Sequence, residues 1–143
     1  MNEETNWPKG LKRTKTREAV YSILSGEIVP VSANFVSDRL LSAGNPICLS
    51  TIYRVLDSFC KYGLARKTVL SDTQTALFDT SLNRHTHYAV CCNCHCMTPI
   101  DICPVEVASQ ADAAKKSHFH VLGHNFELYG YCDDCFRKTQ KTH

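Results

Sequence analysis

The chain has 143 residues, 43% hydrophobic and 21% charged, which is a globular profile with room for one moderate core or two small ones. Its opening, MNEETNWPKG, is acidic and has no apolar run, which excludes a secretory signal, and no window reaches the ~18 apolar residues of a membrane helix. A cytoplasmic location is therefore expected, and nine cysteines with seven histidines in a reducing compartment point to metal binding, not disulfides.

The net charge of +2 is unevenly placed: Lys9, Lys12, Arg13, Lys15 and Arg17 fall within nine residues that contain no acid. Such a cluster serves either as a solvated face or as a phosphate-binding arm. The spacing of Ala19, Val20, Ile23 and Leu24 then predicts a helix over about Thr14–Ser25, followed by Gly26. A second helix is expected from an N-cap at Ser32, with Val36, Leu40 and Leu41 inward and a stop at Gly44. After Asn45 and Pro46, a third helix is expected from a capping Ser50, burying Ile52, Val55, Leu56 and Phe59 and ending at Gly63. Two short strands, about Leu64–Leu70 and Thr75–Phe78, flank the turn Ser71-Asp72-Thr73.

Three helices and a β-ribbon in this order describe a winged helix-turn-helix. The polar face of the third helix offers Ser50, Thr51, Tyr53, Arg54, Ser58 and Lys61, side chains suited to base edges and phosphates in a major groove. An ordinary solvated face is the competing reading, and Lys15 and Arg17 weigh against it.

Composition changes sharply near residues 80–85. Residues 1–80 hold Cys48 and Cys60 and no histidine, whereas the remainder holds seven cysteines and all seven histidines. The expected organisation is a winged-helix domain over 1–80, a linker over 81–86 and a metal-binding domain over 87–143. In the second half, strands are expected at His87–Cys92, near Phe119–Leu122 and at Phe126–Tyr131. Pro104, at a helix N1 position, opens a helix to about Lys116 with Val105, Ala108, Ala111 and Ala114 on it. That core is thin for its length, and metal or oligomerisation is the usual remedy. The fold class is thus α+β, with a winged helix-turn-helix followed by a smaller α/β metal-binding domain.

Two Cys-x-x-Cys pairs, Cys91/Cys94 and Cys132/Cys135, each end an expected strand, where both thiolates can turn toward one ion. Four thiolates make a closed tetrahedral site typical of structural zinc. The 37 residues between the pairs exceed a compact zinc ribbon, so the two knuckles would clamp the ends of a folded domain. A second set comprises His85 and His87, on the same side of one strand, with Glu106 and His124; three imidazoles and a carboxylate suit Zn²⁺, Fe²⁺ or Mn²⁺. Cys48 and Cys60 read as small buried apolar residues. Cys92, Cys96 and Cys103 carry no assigned role, although Cys96 or Cys103 could join a metal site.

Several runs together resemble the ferric uptake regulator family of metal-dependent repressors. They are Arg13-Thr14-x-x-Arg17, Leu49-Ser50-Thr51-Ile52-Tyr53-Arg54-Val55-Leu56, Tyr62-Gly63-Leu64, the His-x-His run before Cys91-x-x-Cys94, and His124-x-Phe126-Glu127-Leu128-Tyr129-Gly130-Tyr131-Cys132-x-x-Cys135. The resemblance implies a winged-helix domain hinged, through the linker over 81–86, to an α/β dimerisation domain over 87–143, working as a homodimer on a palindromic DNA operator. It gives Cys91, Cys94, Cys132 and Cys135 a structural zinc, and it places His85, His87, Glu106 and His124 in register with a regulatory metal site. The family's second regulatory site, at the hinge, is not matched: Val29-Pro30-Val31-Ser32 lacks a histidine, Thr86, Tyr88 and Pro99 stand at other ligand positions, and only Asp79 remains. This departure argues against peroxide sensing. The run Asp101-Ile102-Cys103-Pro104 resembles the zinc uptake branch, so zinc is the expected effector, with iron or manganese as alternatives.

An enzyme is not expected: there is no HExxH, no phosphate loop and no zinc-deaminase signature. Two other classes remain to be discriminated. A thiol redox protein would need an exposed Cys-x-x-Cys of low pKa, and a constitutive zinc-ribbon nucleic-acid binder would show DNA affinity indifferent to free metal.

Overall fold

Thr14 starts helix α1 (Lys15–Gly26): its backbone is extended and its hydroxyl accepts from the Arg17 amide at 3.2 Å. Ser32 does the same for α2 (Ala33–Ser42), accepting from the Phe35 amide at 3.1 Å. Beyond α2 and the third helix the chain turns through Gly44 and Gly63, both with φ of +73°, the left-handed conformation that glycine adopts without strain. Helix α3 spans Leu49–Lys61 and corrects the expected start. Its cap is Cys48, not Ser50, because the Cys48 carbonyl already accepts from the amides of Thr51 and Ile52 at 3.0 and 3.1 Å.

The structure, a computed structural model, describes residues 7–80, 86–103, 116–120, 124 and 126–141. It divides into two units, Met1–Asn83 and Arg84–His143.

In the first unit the three helices close on Val20, Leu24, Val36, Leu40, Ile52, Leu56, Phe59 and Phe78. Leu41, expected inside, is 63% exposed: at 3.6 residues per turn, Val36 and Leu40 share the buried face and Leu41 falls beside it. Strands β2 (Arg66–Val69) and β3 (Ala76–Asp79) form the expected antiparallel ribbon. A further strand, β1 (Val31–Ser32), pairs with β3 through Val31↔Phe78 and gives the sheet order β1-β3-β2. Trp7 meets Tyr21 and Phe59 edge-on, with centroids 5.9 Å away in each case, and its indole donates to the Leu11 carbonyl at 2.7 Å. With Leu11 buried as well, these contacts fix the basic segment against the core.

The second unit is built on β4 (His87–Cys91), flanked by β5 (Met97–Ile100) antiparallel and β6 (Glu127–Gly130) parallel, in the order β5-β4-β6. Pro99 hid β5 from the sequence, since proline is confined to edge strands, and an edge is where β5 lies. Helix α4 (Asp133–Gln140), also unanticipated, carries Asp133 and Asp134 in its first turn and Arg137 and Lys138 in its last, matching the helix dipole. Phe119 and His120 are exposed and not in a strand, which corrects the strand expected near Phe119–Leu122; Leu122 itself lies outside the described residues. Also outside them are His85, Glu106, linker residues 81–85 and nearly all of the helix expected from Pro104. Among the described residues no helix is long and apolar enough to cross a membrane.

Candidate metal centres and nucleic-acid interface

Burial of Ile52, Val55, Leu56 and Phe59 turns the opposite face of α3 outward, leaving Ser50, Tyr53 and Arg54 exposed and Thr51 half-buried. Lys15 is exposed at the start of α1. Arg17 is half-buried and donates from Nη1 to the Lys12 carbonyl at 2.6 Å, so it holds the basic segment in shape. Arg13 pairs with Glu18 and lies 5.5 Å over the Trp7 ring.

Cys48, read from the sequence as buried, is exposed at the N-terminal end of α3, where chain reversal keeps it out of the core. Its sulfur lies 3.4 Å from the Ser50 hydroxyl and 2.9 Å from that of Thr51. These two hydroxyls, Ser50 first, with the Thr51 amide, lower the thiol pKa to about 7. Cys60, expected to be buried, is half-buried and packs against the core.

The second unit gathers thiols where β4 ends and α4 begins. Cys91, Cys94, Cys96 and Cys132 place their sulfurs within 4.8 Å of one another. Cys94 and Cys132 are 3.7 Å apart, close to the ~3.8 Å that a tetrahedral ion with bonds of about 2.3 Å sets between two sulfurs. Cys135, the fourth ligand expected from the sequence, is buried and accepts from Asn93 Nδ2 at 3.2 Å, but its sulfur is not in that set, where Cys96 stands instead. Backbone amides of Cys132 and Cys94 hydrogen-bond the Cys91 sulfur and lower its pKa to about 5. The Cys135 amide likewise lowers Cys132. The Cys96 amide pulls Cys94 down, but the thiols of Cys96 and Cys91 outweigh it and leave Cys94 raised to about 11. Thiols this close cannot all ionise unless a cation shares their charge, so the donor set fits zinc.

The second cluster lies at the other end of β4. His87 Nδ1 meets the Phe126 carbonyl at 3.1 Å. A carbonyl only accepts, so Nδ1 carries the proton and Nε2 presents a lone pair. That Nε2 stands 3.2 Å from His124 Nε2 and 3.3 Å from Cys103 Sγ, and Cys103 Sγ is 3.4 Å from His124 Nε2. Metal–nitrogen bonds of about 2.0–2.1 Å set two tetrahedral nitrogens roughly 3.3–3.4 Å apart, so this set also fits an ion.

Of the regulatory residues expected, the structure therefore brings together His87 and His124, while His85 and Glu106 lie outside the described residues. Cys103, which spacing alone does not assign, is reached by one signal. The register His87↔Ile100 carries the chain back past His87 a few residues before Cys103, a hairpin that is visible once β5 is recognised. Cys96 is found by the same hairpin, its carbonyl accepting from the Cys91 amide at 3.0 Å. Asp79 is buried and accepts from Arg66 Nη2 at 3.3 and 3.4 Å.

An exposed helix-turn-helix face with a β-ribbon, and a separate unit rich in thiols and imidazoles, define a winged-helix protein with a metal-binding unit. Residues 8–129 match the model of the ferric uptake regulator family, and the chain belongs to that family. It is 32% identical over 126 residues to the zinc uptake regulation protein of Mycobacterium tuberculosis, covering 88% of this chain and 95% of that one. With the ferric uptake regulation protein of Legionella pneumophila it shares 31% over 127 residues, 88% and 92% of the two chains. The ferric uptake regulator of Vibrio cholerae superposes with a TM-score of 0.76 at 28% identity, covering 86% of this chain and 93% of that one.

Proposed function

We infer that the protein is a metal-responsive transcriptional repressor, located in the cytoplasm, that binds a palindromic DNA operator as a homodimer when its regulatory site is filled, with zinc as the effector. The observation that carries this reading is the pair of donor sets in the second unit. One is a cluster of thiols; the other is built on the imidazoles of His87 and His124. A thiolate cage holds zinc as part of the fold, whereas a site richer in neutral nitrogen donors releases its ion over a regulatory range. In this reading Cys91, Cys94, Cys132 and Cys135 hold the structural zinc. His85, His87, Glu106 and His124 hold the regulatory ion, which polarises nothing and acts only by preferring one conformation of the protein.

Ser50, Thr51, Tyr53 and Arg54 read the major groove, and Lys15 and Arg17 secure the phosphate backbone. Dimerisation is supported by β6. Among the described residues it pairs with β4 on one side only, and it exposes Leu128 and Tyr129, with Tyr131 just beyond. An apolar edge strand of this kind is covered in a stable protein, and a second copy supplies the cover. The zinc assignment is supported by the likeness to the mycobacterial zinc uptake regulation protein.

The reading is tested by metal analysis of the purified protein, followed by binding to DNA selected from a random pool, at buffered free zinc, iron and manganese. Tightened binding within the zinc range supports it. Binding indifferent to all three metals contradicts it. A response to iron or manganese at free concentrations nearer their cellular levels would move the effector and leave the mechanism standing.

A further inference from the structure

The three edges of the His87–Cys103–His124 triangle cannot all be hydrogen bonds. His87 Nε2 has one lone pair, because Nδ1 carries the proton given to Phe126. To bond both neighbours, that lone pair would have to accept from His124 Nε2–H and from the Cys103 thiol together. The single N–H of His124 would meanwhile have to serve both His87 Nε2 and the Cys103 sulfur. A cation at the centre removes the conflict, since each of the three atoms then directs one lone pair at a common point. Cys103 is also buried, as a second metal-site thiolate would be, with 7% of its surface exposed.

We propose that Cys103 is a ligand of the regulatory ion, so that the sensing site is a thiolate site. The proposal rests on the regulatory reading of His87 and His124 given above. Its consequence is selectivity. Nitrogen and carboxylate donors accept manganese, iron and zinc alike, whereas a thiolate favours zinc and disfavours manganese. The residue that follows β5 would then choose the effector, while the histidines and carboxylate set how tightly it is held.

Cobalt(II) tests this, because a cobalt–thiolate bond gives a sulfur-to-metal charge-transfer band that imidazole and carboxylate ligands do not. Dimer already carrying one zinc per chain is titrated with Co²⁺, with bound zinc counted by native mass spectrometry to confirm that it is retained. The expected result is a second metal equivalent that brings in both the visible ligand-field bands and the near-ultraviolet thiolate band. In Cys103→Ser the thiolate band is lost while the first zinc stays, and the preference for zinc over manganese falls at least tenfold. Cobalt bound as the second metal equivalent without the thiolate band in the parent protein overturns the role of Cys103 and leaves the regulatory site standing. No second metal equivalent at all overturns both. The parent spectrum decides the matter even if the variant fails to fold.

Discussion

His87 and His124 are 37 residues apart in the chain, yet their Nε2 atoms stand 3.2 Å from each other, with the Phe126 ring edge-on to His87 at 5.5 Å. Parallel pairing of β4 with β6, through Tyr88↔Glu127, carries the segment holding His124 to the start of β4. A carbonyl of that same segment, from Phe126, orients the His87 ring. Sheet pairing thus sets both the position and the tautomer of the donors. Tyr88→Pro, which removes a ladder amide from the central strand, is therefore expected to abolish the second metal equivalent, read by metal analysis.

Helix α3 is expected to read DNA. Arg54→Ala should weaken operator binding by about 1–3 kcal/mol if the guanidinium meets a base or phosphate. Lys15→Ala should weaken it evenly across sequences and reduce the salt slope by about 1. Fluorescence anisotropy at several salt concentrations separates the two. Unchanged affinity and slope in both variants would place the DNA surface elsewhere.

Removal of a structural thiolate should cost the fold of the second unit, since such a site contributes on the order of 10 kcal/mol. Cys132→Ser is expected to lose zinc and give a monomeric chain with a melted second unit, while the first unit, with its own core, stays helical. Cys96 lies inside the same thiol cluster but outside the two Cys-x-x-Cys knuckles, and Cys96→Ser should keep its zinc. Zinc content and sedimentation check both. Loss of zinc in Cys96→Ser with retention in Cys135→Ser would exchange the fourth ligand.

The helical half of the fold was largely legible in the sequence because its signals are local. Ser32 and Thr14 cap, Gly44 and Gly63 terminate, and the 3.6-residue spacing of Ile52, Val55, Leu56 and Phe59 marks a face. The strands β1 and β5 escaped for physical reasons: two residues carry no period, and Pro99 reads as a breaker until its edge position is known. Spacing marks Cys91, Cys94 and Cys132, which the structure gathers, whereas Cys96 joins the same cluster through the β4–β5 hairpin. Spacing does not mark Cys103 either, because its closeness to His87 is created by a hairpin, and Cys48 was misplaced because an N-cap is set by chain reversal, which hydrophobicity does not report.

Cys48 offers a pH-dependent readout at the exposed N-terminal end of α3. With its pKa lowered to about 7, the thiolate predominates above neutrality and is lost as pH falls through that value. The rate of alkylation by iodoacetamide should rise with a midpoint near pH 7, below the ~8.5 of a free cysteine. Thr51→Ala, lacking one stabilising hydroxyl, should move the midpoint upward. A midpoint at the ordinary value in the parent would mean that these hydroxyls do not hold the thiolate.

The central claim is that metal at the imidazole site, and not the structural zinc, governs DNA affinity. The direct measurement is operator affinity against buffered free zinc for the parent and for His124→Ala, both shown to be dimers retaining one zinc per chain. The parent should bind DNA at least tenfold more tightly once the second equivalent is filled, a coupling of about 1.4 kcal/mol. His124→Ala should hold the weak, metal-free affinity throughout. A variant that responds to zinc as the parent does would contradict the claim and place the switch at another site.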